Sequence, residues 1–326
     1  MKIKPTYSIG IPVYNRVFGF EMALESAIAV KDCSEIIVVD DNSNHTEFES
    51  IVSKYNDPRI KYFRNIENIG LFGNWNKCIE YASSEYVSIL CSDDIVYENI
   101  FTNFMEAFLI DQTIEVFFGS FATFKDSVED SVIQMLFKKG PMKGEDLIEN
   151  ALNDGLGFPV LSVLKREVML KMPFVSKPHS GNDWLWIYSN ATKLNLFATD
   201  KPINFWRRHE NQDAIKNQSI TRDCWPLMFI NMSNQLKLSN PKLARKAILS
   251  GRGFIITTLL NESYTDRSLL KRVLDSSQND IFIEAMQTLI SEDWLLKKMI
   301  ANGGNNKWAY QLARIFRKIK LLHSDF

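Results

Sequence analysis

No run of apolar residues in this 326-residue chain approaches the roughly eighteen needed to cross a bilayer, so no membrane-spanning helix is expected. Met1 to Thr6 leads straight into the strand-like SIGIPVYN, where a leader would have an apolar core, and the mature chain is expected to begin inside the cell. Cysteine is scarce. Cys33, Cys78, Cys91 and Cys224 are widely spaced with no CxxC, which excludes a zinc ribbon and argues against a disulfide scaffold. A reducing cytoplasm is the expected home, and Asn-x-Ser/Thr triplets such as those at Asn44, Asn217, Asn231 and Asn261 then mean nothing for glycosylation. Net charge is lacking too: 38 basic residues balance 39 acidic ones, leaving -1 and no electrostatic footprint for nucleic acid.

Several catalytic signatures are missing as well. GxGxxG does not follow the first strand-like segment, and GxxxxGK followed by Ser or Thr occurs nowhere, which removes the usual dinucleotide fold and the P-loop. The four histidines, His45, His179, His209 and His323, form no HExxH, and no GxSxG elbow is present. Kinase, dehydrogenase, zinc hydrolase and serine hydrolase chemistries are all disfavoured.

With 45% hydrophobic and 24% charged residues the chain can bury a large core. Its first ninety residues alternate between two periods. YSIGIPV at 7–13, EIIVV at 35–39, RIKYF at 59–63 and YVSILC at 86–91 read as strands, while 20–30, 47–55 and 72–83 have helical spacing. Such alternation predicts an α/β fold, a mostly parallel sheet flanked by helices. Further on, a helix is expected at 97–110 and a strand at 114–119. Residues 126–157 show no clean period. A strand at 160–164, a helix at 166–172 and an aromatic helix from near Asp183 follow, and beyond Ile215 the pattern is helical only.

Ligands of open parallel sheets bind where the strands' carboxyl ends meet, because loops and helix N-termini converge there. Tyr14-Asn15, Asp40-Asp41 and Asp93-Asp94 all fall at such ends. One Asp alone would be an ordinary helix cap. Two acidic pairs aimed into one crevice would repel unless compensated, and hard oxygen ligands of that kind suit magnesium or manganese bridging a diphosphate.

SIGIPVYN, EIIVVDDNS and ENIGLFGNWNKCIEYASSEYVSILCSDDI, taken in order, resemble the nucleotide-binding half of family 2 glycosyltransferases with the GT-A fold. A weaker block, GFPVLSVLKREVMLKM followed by HSGNDWLWI and FWRRHENQ, is similar to that family's acceptor half. The resemblance implies a catalytic domain at 1–215, with a nucleotide-binding half at 1–95 and an acceptor half at 96–215, followed by a helical extension at 216–326. It places Pro12 and Tyr14 beside the nucleobase, Asp41 as acceptor for the base's imide N–H, and Asn68 and Asn76 on the nucleotide pocket around Gly70. Asp93 matches the ribose-contacting acid and Asp94 the metal ligand of the DxD-type motif, with Mn2+ or Mg2+ as cofactor. Cys91 stands where many members have an acid, and Cys78 where glycine is frequent.

The implied catalytic base is Asp183, which a purely structural role would make the first-turn acid of the aromatic helix. Trp184 and Trp186 are candidates for stacking on the acceptor sugar or for the core. His209 is placed on the metal or a phosphate, and Arg207 and Arg208 on the leaving diphosphate. The implied activity is inverting transfer of a sugar from a nucleotide donor, with uridine favoured, to a saccharide or lipid-linked saccharide. A nucleotidyltransferase and a non-catalytic sugar-nucleotide binder or membrane scaffold stand as alternatives. The amphipathic, basic stretch at 307–322 is compatible with peripheral contact to an anionic membrane, with packing on the catalytic lobe, or with a second subunit.

Overall fold

The computed structural model describes residues 4–134, 137–154, 161–176, 181–209, 224–265, 281–291 and 293. The chain divides into two compact units, Met1–Thr221 and Arg222–Phe326. Residues 307–322, with their three readings, lie outside the described residues, as do 210–212 of FWRRHENQ.

The first unit is built on one mixed, mostly parallel sheet of ten strands. In chain order they are β1 (Tyr7–Val13), β2 (Glu35–Asp40), β3 (Ile60–Arg64), β4 (Tyr86–Ile89), β5 (Ile95–Val96), β6 (Val116–Phe124), β7 (Val132–Ile133), β8 (Gly140–Met142), β9 (Val163–Lys165) and β10 (Leu196–Arg207). Their order across the sheet is β3-β2-β1-β4-β9-β6-β10-β5, with β7 beside β6 and β8 beside β10. β3, β2, β1 and β4 run parallel; β9 is antiparallel to both neighbours, and so brings β6 and β10 back into the direction of β1. The carboxyl ends of β1, β2, β4, β6 and β10 therefore share one edge. The chain goes from β1 outward to β2 and β3, then returns to the other side of β1 as β4, so the order reverses at β1, where α/β sheets bind ligands.

β1 and β2 are buried at every residue, which is why they read as continuous apolar runs without alternation. Phe20, Ala23, Leu24 and Ala27 of α1 (Phe20–Ala29) recur at helical spacing. They join Ile100, Phe101, Phe104, Ala107 and Phe108 of α4 (Ile100–Ile110) and Tyr7, Ile9, Ile11 and Val13 of β1 in one cluster. α3 (Leu71–Tyr81) packs on β1 and β2 through other residues, including Phe72, Trp75 and Cys78. At the amino end of β2, Glu35 is buried, and burial alone would raise its carboxyl. Donors from Lys61, Ser83 and Ser8 outweigh that and hold it down to about 2.

β10, α5 and α2 depart from the sequence reading, as do the short strands β5, β7 and β8. β10 is a twelve-residue strand that the pattern does not announce, because Asp200-Lys201-Pro202 interrupts it. The structure absorbs that interruption as register shifts against β6 around Pro202, the setting in which a strand tolerates proline. The periodless stretch contains α5 (Gly144–Asp154), whose buried stripe of Leu147, Ile148 and Ala151 is too narrow to stand out. The helix expected over 47–55 is only α2 (Glu47–Val52). α6 (Arg166–Lys171) and α7 (Asn182–Asn190) complete the α-helices described in this unit.

The second unit is helical where described, with helices Trp225–Leu236, Pro241–Thr265 and Ile281–Ser291. Among the described residues, no helix is long and apolar enough to cross a membrane. Cys33, Cys78, Cys91 and Cys224 are not joined in disulfides.

Candidate active site

The turn after β1 carries Tyr14, Asn15 and Arg16. Pro12 is buried inside β1, whose ladder with β4 ends at Gly10, so of the two residues proposed beside the base it is Tyr14, 48% exposed, that offers surface. Asn15 takes a left-handed φ of 52°, which Asn tolerates better than most residues. Its Oδ1 accepts from the Asn44 amide at 2.9 Å and its own amide donates to Ser43 Oγ at 2.8 Å, locking the ends of β1 and β2 together.

The two acidic pairs do different work. Asp40 accepts from the Ser43 amide and hydroxyl, from the Tyr62 hydroxyl and from Arg64, and so shapes its own loop. Asp41 accepts from the amides of Ile69 and Gly70, both at 2.9 Å, and from Asn65 Nδ2 at 2.8 Å. Gly70, at φ 82°, is held in a conformation that a side chain would strain, and Asn68 Oδ1 also accepts its amide at 3.1 Å. These carboxylates are compensated by donors of the protein. Of the two forms of compensation expected, a cation or donor groups, the first pair has the second, and a further cluster forms around Asp93 and Asp94.

That cluster is tight. Asp93 Oδ2 accepts from Arg16 Nη2 at 2.7 Å and lies 2.8 Å from His209 Nε2. Asp94 Oδ1 accepts the backbone N–H of Arg207 at 2.9 Å. A side chain at Gly19 would meet the Asp93 Cα at 2.9 Å, so only glycine lets the start of α1 approach the acidic turn this closely. Burial first, and then the charge of Asp93, pushes the Asp94 carboxyl well above the usual range. Burial and the charges of Asp94, Asp93 and Asp183 likewise raise the Cys91 thiol, which places Asp183 in the electrostatic reach of the same turn.

Asp183 lies in the first turn of α7 and is partly buried. Burial raises its carboxyl to about 6, with its own amide and that of Trp184 pulling partly the other way. A carboxylate poised near neutrality is suited to accept a proton. Trp186, by contrast, is buried and donates to the Met172 carbonyl at 2.6 Å, which makes it core; only Trp184 retains exposure for an acceptor.

The structure gives partners to three further residues picked from the sequence. Arg207 is 4% exposed, with Nε on the Asp93 carbonyl, Nη1 on the Lys125 carbonyl and its guanidinium 4.4 Å over the Phe124 ring. It braces the acidic turn through these backbone carbonyls. Arg208 is exposed and lies 4.4 Å over the Trp206 ring. Asn76 exchanges both its amide groups with the backbone of Phe174, at 2.9 and 3.1 Å, and so ties α3 to the 172–176 segment. Arg16 was not among the residues picked from the sequence; nothing in an arginine after a turn announces that it will meet acids from another strand. Among the described residues, no three His, Cys, Asp or Glu side chains form a group able to hold a metal ion by themselves.

Comparisons with known proteins agree with this architecture. The family model "Glycosyl transferase family 2" matches residues 8–169. A Campylobacter jejuni protein named GalNAc(5)-diNAcBac-PP-undecaprenol beta-1,3-glucosyltransferase is 26% identical over 257 residues, covering 76% of this chain and 80% of that protein. Staphylococcus aureus TarS 1–349, solved with UDP-GlcNAc, superimposes with a TM-score of 0.59 at 16% identity, covering 87% of this chain and 80% of its own. The Pyrobaculum calidifontis mannosyltransferase, solved with GDP-Man and Mn2+, does so with a TM-score of 0.51 at 14% identity, covering 92% and 84%. With acidic strand ends converging at the point where the sheet order reverses, the chain belongs to glycosyl transferase family 2 and is an enzyme of the GT-A fold.

Proposed function

We propose that this enzyme transfers a sugar, with inversion, from a nucleoside diphosphate donor to a hydroxyl of a saccharide or lipid-linked saccharide, in surface polysaccharide or lipopolysaccharide assembly. The observation that carries the reading is Asp183, a carboxyl raised to about 6 within electrostatic reach of the Asp93-Asp94 turn. As the acceptor oxygen attacks the anomeric carbon, Asp183 takes its proton; the bond to the diphosphate breaks on the opposite side. Asp93 holds the ribose, Tyr14 borders the base, and Asp41 receives the base's imide N–H while anchoring the Gly70 loop. A UDP donor is favoured by the likeness to TarS, and a lipid-linked acceptor by the name of the Campylobacter relative. The latter also favours a cytoplasmic enzyme working at the inner face of the membrane.

The residues fit a divalent cation, Mn2+ or Mg2+. Asp94 is a hard ligand whose raised carboxyl a cation would return to its ionised form, and His209 stands beside it on Asp93. Such ions use one or two protein carboxylates and take other ligands from substrate phosphates, which accords with the lack of a three-residue cluster. A bound cation would offset the charge growing on the departing diphosphate. The test of the whole reading is Asp183→Asn. Asn keeps the shape but has no useful basicity, so initial transfer rates should fall about 10²- to 10⁴-fold while the dissociation constant of the donor stays within twofold. Transfer at a near-parental rate would remove Asp183 from catalysis.

A further inference from the structure

We propose that Asn74 is a positioning residue: acting through Asn65, it fixes the orientation of the Asp41 carboxylate and of the Ile69-Gly70 turn held on it. Its effect on substrate binding rests on the reading above in which Asp41 meets the base of the donor. Asn74 lies in the first turn of α3, which its amide closes on the Gly70 carbonyl at 2.9 Å, and it is 3% exposed. Asparagine is a poor helix former, and burying its side chain costs free energy unless partners meet it. Here they do. Its Nδ2 donates to the Val39 carbonyl at 2.9 Å and lies 3.5 Å from that of Val13, near the ends of β2 and β1, while its Oδ1 accepts from Asn65 Nδ2 at 3.0 Å. Asn65 Nδ2 gives its other hydrogen to Asp41 Oδ1 at 2.8 Å.

The polarity of this relay has one solution. Carbonyls only accept, so Nδ2 of Asn74 must face the strands, its Oδ1 must face Asn65, and Asn65 must present donors to Asp41. The Ile69 amide also donates to Oδ1 and the Gly70 amide to Oδ2, both at 2.9 Å. Among the described residues Oδ1 thus has two donors and Oδ2 one, so the relay decides which oxygen keeps an acceptor position. The Asp41 amide itself donates to the Val13 carbonyl at 2.9 Å, which brings the relay back to the residue that it orients.

The experiment compares, on the full chain in Mn2+ buffer, the parent, Asn74→Ala, Asn65→Ala, the double variant, and Asp41→Ala with and without Asn74→Ala. Calorimetry with UDP and with GDP reads affinity, and hydrogen exchange without nucleotide reads the Ile69 and Gly70 amides. Asn74→Ala is expected to weaken the nucleotide that the parent binds about 3- to 10-fold, a fraction of what losing a hydrogen bond to a charged group would cost. Asn65→Ala is expected to do the same, the double variant to bind no worse than the weaker single, and Asn74→Ala to add nothing once Asp41 is alanine. Losses that multiply would mean that Asn74 acts through general packing, and a folded Asn74→Ala with the parent's affinity would mean that it positions nothing; either overturns the proposal. Asn65 is only half-buried, so Asn65→Ala carries the test if Asn74→Ala does not fold. In both single variants the Ile69 and Gly70 amides are expected to exchange faster, and unchanged exchange overturns the positioning role whether or not a nucleotide binds. A parent that binds neither nucleotide, or an Asp41→Ala variant that binds as the parent does, overturns instead the reading of Asp41 at the base, while the exchange result still decides the relay.

Discussion

At the residue scale the informative groups are carboxyls whose surroundings pull them in opposite directions. Asp183 has a folded-state value of about 6, above the ordinary 3.8. Its base form is therefore populated only as pH rises through about 6, and in buffer of fixed Mn2+ the transfer rate should drop about tenfold per pH unit below that point. For stability the sign is the reverse of the usual aspartate case. Because folding disfavours the charged form, the group costs nothing below pH about 4, destabilises progressively as pH rises toward 6, and has a constant effect above it. Without divalent cation, Asp183→Asn should then melt at or above the parent's temperature at pH 7, and the difference should vanish near pH 4. A two-unit shift sets a ceiling of about 3 kcal/mol, which partial exposure lowers. An Asn variant less stable than the parent at pH 7 would show that the carboxylate stabilises the helix start after all.

At the scale of elements, the segment 172–176 joins α3 to α7. Asn76 of α3 holds Phe174, while Asn182 and Trp186 of α7 donate to the carbonyls of Val175 and Met172. The Phe174 ring packs against Phe72 and Trp75 from α3 and against Trp186 from α7. α7 is the helix that carries Asp183, so this strap sets the proposed base relative to the loop that begins at Gly70. Asn76→Ala removes both hydrogen bonds to Phe174, and two buried bonds at about 0.5–1.5 kcal/mol each predict a loss of about 1–3 kcal/mol. Thermal melting and faster hydrogen exchange at the Phe174 amide would register it. Nucleotide affinity should stay unchanged; a tenfold fall would restore Asn76 to the nucleotide pocket.

At the scale of the whole molecule, ligand binding and folding are linked: a nucleoside diphosphate that binds only the native enzyme raises its melting temperature with concentration. Asp94→Asn should abolish the part of that rise that depends on Mn2+ and leave the fold intact, since the bond that its carboxylate accepts from the Arg207 amide can be kept by the amide oxygen. Equal Mn2+-dependent shifts in parent and variant would exclude Asp94 from the cation. The strands of the first ninety residues, the helices between them and the acidic strand ends were legible in the sequence, because buried parallel strands and amphipathic helices impose their periods locally. What those acids do was not legible. Asp41 is met by amides 28 and 29 residues away and Asp93 by a histidine 116 residues away, encounters that only the assembled sheet arranges. The burial of Arg207, the placing of Arg16 and the run of β10 through Pro202 likewise depend on which neighbour each strand takes, and the pairing partner of a strand is a property of the assembled sheet, not of its own residues.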